Sequence, residues 1–60
     1  MFMENIEKLE VLVSEARLEA TKFYEKGNKT AGTRLRAKMA EITVLCKSVR
    51  ADVSTIKNAV

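Results

Sequence analysis

Two long segments of helical periodicity meet at a single break, and that arrangement leaves the chain few ways to fold. The 60 residues contain no proline and two glycines, Gly27 and Gly32, both within the stretch 22–38. Before the break, Phe2, Ile6, Leu9, Val13, Ala16, Ala20 and Phe23 recur at alternating steps of four and three. After it, Gly32, Leu35, Met39, Ile42, Cys46, Val49, Val53 and Ile56 recur at steps of three and four. Such spacing keeps one stripe of a helix facing a partner helix. A period of two would scatter the same residues over both faces of a strand. The pattern predicts an all-α fold, an antiparallel helical hairpin in one domain spanning 1–60, with helices over about 3–26 and about 29–58 and a turn at 27–28.

The turn has its own chemistry. Gly27 falls where a helix ends in the left-handed conformation, which glycine enters without a Cβ penalty. Asn28 is placed to cap the second helix, with Thr30 as the alternative. Gly32 lies on the second seam one turn past the bend. A missing side chain there lets the two backbones close up; approach to a phosphate is the other reading. Cys46 and the seam methionine Met39 read as core filler. Phe23 reads as core and Tyr24 as interface.

A domain this small buries only a modest share of its surface. It has one cysteine and no histidine, so neither an internal disulfide nor a zinc site staples it. Met3, Val11, Leu12, Leu18 and Tyr24 widen the apolar face beyond a two-helix seam. These features predict self-association as a coiled-coil-like dimer, a four-helix bundle, with a larger homo-oligomer as the runner-up.

Several function classes drop out. Without histidine, a phosphate-binding glycine loop or a cleft between paired carboxylates, the chain reads as non-enzymatic, with no cofactor, no metal and no small-molecule substrate. No apolar run reaches the length of a membrane span, and the N-terminus lacks the pattern of a signal peptide. A lone thiol then fits the reducing cytoplasm.

The net charge of +3 is unevenly spread. Residues 1–21 carry two basic against five acidic side chains, a net of −3, whereas residues 22–50 carry eight basic against two acidic, a net of +6. At about 100° per residue, Lys29, Arg36 and Lys47 share one flank of the second helix, with Arg50 between them and the seam, while Arg34 and Lys38 share the opposite flank. A cationic bend and arm suit a polyanion, because lysine and arginine neutralise phosphates and release counterions without reading sequence. The broad apolar faces alternatively suit a structural or adaptor module that binds a partner helix. A membrane-surface helix is the weaker third reading.

The run Glu25–Ile42 carries a more specific signal. Gly27, Asn28, Lys29, Ala31, Arg34 and Arg36 form a G-N-K-x-A-x-x-R-x-R core followed by a basic amphipathic helix. This resembles the bacterial linker-histone-like family, the chlamydial-type histone-like nucleoid proteins. The resemblance implies a nucleoid-associated protein that binds double-stranded DNA (RNA being the other polyanion) and helps organise or condense the chromosome. It makes Lys29, Arg34 and Arg36 the leading phosphate contacts. Lys26 beside the bend, Lys38 and Lys47 complete the candidate set. Relatives are expected to carry a basic residue directly after the second arginine, whereas this chain has Ala37 and then Lys38. The Lys/Ala-rich tail of longer members is not among these residues, so the resemblance points to the oligomerising part of such a protein.

Overall fold

The structure, a computed structural model, describes residues 3–59, and within them two helices make up the fold: α1, Met3–Lys26, and α2, Lys29–Ala59. They pack side by side as an antiparallel hairpin measuring 49 × 15 × 13 Å. Phe2, the first member of the predicted seam, lies outside the described residues. Both helices are built from good helix formers, with a single interior glycine, Gly32, in α2. Glu4 in the first turn of α1 and Lys26 in its last complement the helix dipole, as does Lys57 in the last turn of α2.

Gly27 closes α1 with φ at +66°, in the left-handed region. Its N–H donates to Phe23 O at 3.1 Å, and the Asn28 N–H donates to Lys22 O at 3.1 Å. Two carbonyls that α1 would otherwise leave bare are thereby satisfied. Asn28 then opens α2. Its carbonyl accepts the first intrahelical bond, from Gly32 N–H at 3.2 Å, and its side-chain Oδ1 accepts from Ala31 N–H at 3.1 Å. Asn28 is thus the N-cap, and Thr30 lies inside the helix. The reversal takes two residues because each end is satisfied by its neighbour.

Just beyond the bend, Phe23 packs over Gly32. A Cβ built on Gly32 would lie 2.6 Å from Phe23 Cδ1 and 2.7 Å from Cε1. Close packing of the arms is therefore what the glycine allows. Phe23 also stacks edge-on against Tyr24, with ring centroids 5.1 Å apart. It remains 38% exposed, so it roofs the bend and is not enclosed core.

The hydrophobic interior is thin. Ala16 and Ala31 are the buried apolar residues, at 4% and 0% exposure. Ile6, Leu9, Leu12, Ala20, Leu35, Ile42, Leu45 and Val49 are half-buried along the line where the helices touch. The contact is rotated from the predicted seam. Leu12 takes the place of Val13, Lys38 that of Met39, Leu45 that of Cys46 and Asp52 that of Val53, each one residue earlier. Val13, Met39, Val53 and Ile56 are exposed, and Cys46, expected as core, is an exposed free thiol. The cause is a set of polar bonds between the arms. Lys38 reaches Glu15 and Arg34 reaches Glu19, while Asn5 Nδ2 donates to Asp52 Oδ2 at 2.7 Å near the open end. These bonds draw the helices together on one side; half of the α2 stripe turns to solvent, whereas in α1 Val13 and Phe23 are the exposed members of the described seam.

Candidate nucleic-acid interface

The basic side chains of α2 divide into two groups according to which side of the hairpin they face. Arg34 and Lys38 stand one helical turn apart on α2, opposite Glu19 and Glu15, one turn apart on α1. Arg34 Nε donates to Glu19 Oε2 at 2.8 Å, and Lys38 Nζ donates to Glu15 Oε1 at 2.9 Å. Because the arms are antiparallel, four residues forward on one match four residues back on the other, so the two pairs form a short ladder in register.

The ladder perturbs its members. The hydrogen bond from Arg34, assisted by the charges of Arg34, Lys22 and Lys38 and opposed by partial desolvation, holds the Glu19 carboxyl below the usual range. The same bond holds the Arg34 guanidinium above its ordinary value. The bond to Glu15, with the charges of Glu15, Glu41 and Glu19 behind it, raises Lys38. Arg34 grips Glu19 through one oxygen. The other, Oε1, is covered and has no hydrogen-bond partner among the described residues. The pair therefore lacks the two-point fork of the strongest arginine–carboxylate bonds.

The second group lies on the opposite flank. Lys29, Arg36, Lys47 and Arg50 fall within about 60° of one another around α2 at about 100° per residue. All four are exposed, and none forms an ion pair among the described residues. Along the axis Lys29 and Arg50 stand about 31 Å apart at 1.5 Å per residue. Lys26 is exposed in the last turn of α1, next to the bend and close in sequence to Lys29. Of the six candidate contacts, Lys26, Lys29, Arg36 and Lys47 are therefore open cations, and Arg34 and Lys38 are engaged by carboxylates of the same chain. Arg50 belongs with the open group. Its position on the wheel beside Lys47 is the signal that admits it.

The carboxylate partners were the part that residue patterns did not yield. Glu15 and Glu19 have the same four-residue spacing as Arg34 and Lys38. Folding the sequence at Gly27–Asn28 brings the two couples face to face, and that comparison would have found the ladder. No helix among the described residues is long and apolar enough to cross a membrane.

The fold and its flanks define a small, basic, all-helical hairpin with its charges sorted onto separate sides. The chain matches the family described as histone H1-like protein Hc1 over residues 3–59 and belongs to that family. No curated protein and no solved structure gave a match.

Proposed function

We propose that this protein is a nucleoid-associated, double-stranded-DNA-binding member of its family that contacts the phosphate backbone without sequence specificity. The observation that carries the proposal is the flank formed by Lys29, Arg36, Lys47 and Arg50, exposed and free of carboxylate partners among the described residues. Membership of a histone-like family supports the same reading. The flank spans about 31 Å, close to one turn of duplex at about 34 Å, so its two ends can meet phosphates on the same side of one duplex. Lys26 extends it around the bend. Nothing in the flank is shaped to read base edges, and its side chains act as charges.

Arg34 and Lys38 contribute less, because a phosphate must first displace Glu19 or Glu15. The protein acts as a homodimer, since a lone hairpin leaves Val11, Leu18 and Val44 in water. Its role is architectural, in chromosome organisation within the nucleoid.

A gel-shift series on duplex DNA at increasing salt tests this. Four neutralised phosphates give a slope near −3.6 in log affinity against log salt, at about 0.9 per phosphate. Between 50 and 200 mM salt that is a loss of roughly a hundredfold. Changing Lys29, Arg36, Lys47 and Arg50 together to alanine is expected to abolish most of the slope. An unchanged slope in that variant, or no binding by the parent at low salt, refutes the proposal.

A further inference from the structure

We infer that a second copy of this chain docks on the groove side of the hairpin, the side that carries the carboxylate ladder, and leaves the open cationic flank outside. The inference rests on the homodimer reading above and assigns the face that the dimer uses.

Area comes first. A compact protein of 6.7 kDa exposes about 3,900 Å² by the usual scaling. This chain exposes 4911 Å². The excess of about 1,000 Å² is close to the roughly 800 Å² that each partner contributes to an interface of standard size. One further copy therefore supplies the cover that the hairpin lacks. In a symmetric pair both copies gain the same cover from the same patch.

The choice of side follows from apolar continuity and charge. Val11 and Leu12 of α1 line a groove with Val44 and Leu45 of α2, so its floor runs across both helices. Val11 is 57% and Val44 65% exposed in the single chain. The cations on this side, Arg34 and Lys38, are already held by Glu19 and Glu15. The groove rim carries Lys8 among glutamates, including Glu41. The other flank also shows apolar residues, Met39 and Val53, but Arg36 and Arg50, unpaired among the described residues, each stand one turn from them, at three residues' separation. Two copies joined there would bring four such arginines together, which association disfavours. Joined by their grooves, the two copies turn Arg36 and Arg50 outward on opposite sides, with Lys29 and Lys47 on the back of each second helix. Such a pair can hold two duplexes at once.

The test uses the whole chain. Sedimentation of the parent, Val44→Lys and Met39→Lys is compared from micromolar to millimolar concentration, with circular dichroism to follow folding. The parent and Met39→Lys are expected to dimerise alike, and Val44→Lys is expected to dimerise at least tenfold more weakly. Should Val44→Lys unfold, the parent alone decides, through the rate at which Cys46 reacts with a thiol reagent. A groove dimer leaves that rate the same at concentrations where the chain is monomeric and where it is dimeric. A parent that stays monomeric at millimolar concentration refutes the homodimer reading and this inference with it. A dimeric parent in which Cys46 becomes protected, or in which Met39→Lys alone dissociates, refutes the face assignment and leaves the dimer standing.

Discussion

The ring of Phe23 occupies the space that a side chain at Gly32 would need, with 2.6 Å between Cδ1 and an added Cβ. Two effects oppose each other in Gly32→Ala. Helix propensity favours alanine by about 1 kcal/mol. Overpacking against the ring costs about 1–3 kcal/mol, because the obstructing atoms belong to a stiff aromatic ring seated against Tyr24. The expected net result is a loss of about 1 kcal/mol, read as a fall in Tm of several degrees for a chain this short. In a Phe23→Ala background the obstruction is gone, and the same Gly32→Ala change is expected to raise Tm. Thermal melts followed by circular dichroism compare the four chains. A stabilised Gly32→Ala single variant would remove the Phe23–Gly32 contact from the account of the bend.

Gly27 and Asn28 separate a conformational cost from a hydrogen-bond cost. No atom lies within 4 Å of a Cβ placed on Gly27, so Gly27→Ala loses only what the left-handed backbone imposes, about 1–2 kcal/mol. Asn28→Ala removes the acceptor for Ala31 N–H and is expected to cost about 1 kcal/mol, as N-cap losses do. Asn28→Asp keeps an acceptor and should retain most of the stability. Urea midpoints order the variants: parent, then Asn28→Asp, with both alanine variants below. An Asn28→Ala variant as stable as the parent would show that the cap is dispensable.

The hairpin was legible in the sequence because its signals are local. The heptad steps, the absence of proline, and a glycine followed by a capping asparagine each act within one or two turns, and each is seen again in the fold. The rotation of the helices about their axes was not legible. Met39 and Lys38, or Cys46 and Leu45, differ by one position, and either could face the partner arm on hydrophobic period alone. What selects Lys38 and Leu45 is the set of bonds from Glu15, Glu19 and Asn5 on the other arm. Those are long-range pairings whose register exists only once the bend is fixed. The flank of Lys29, Arg36 and Lys47 could be read from helical geometry. The engagement of Arg34 and Lys38 required knowing what stands opposite them.

The ladder ties stability to pH in a defined direction. Glu19 is held below the ordinary carboxylate range in the folded chain, so its contribution is present above its unfolded pKa, about 4.3, and is lost as pH falls through the folded value. Lys38 is held above its ordinary range. Its contribution is present below the unfolded lysine pKa, about 10.4, and is lost as pH rises through the folded value. Stability is therefore expected to be flat from about pH 5 to about pH 10 as far as these groups decide it. Melts across pH should show the acid limb shrinking in Glu19→Gln. An acid limb unchanged by that substitution would assign it to other carboxylates.

The same ladder should restrain binding to polyanions. Glu19 occupies Arg34 through one oxygen, and the arginine side chain of the pair is 45% exposed, where ion pairs are individually weak. A phosphate offers Arg34 a two-point contact, so the competition is close. Glu19→Gln removes the competing charge without shortening the side chain and is expected to raise DNA affinity several-fold at low salt. Because Arg34 then adds one phosphate contact, the salt slope should steepen by about 0.9. Glu15→Gln should act in the same way through Lys38, and the double variant should gain from both. Adding Arg34→Ala to Glu19→Gln should cancel the gain, which distinguishes release of Arg34 from a general rise in net positive charge. If the gain survives in the Glu19→Gln, Arg34→Ala chain, the ladder does not regulate Arg34 and the effect belongs to long-range attraction.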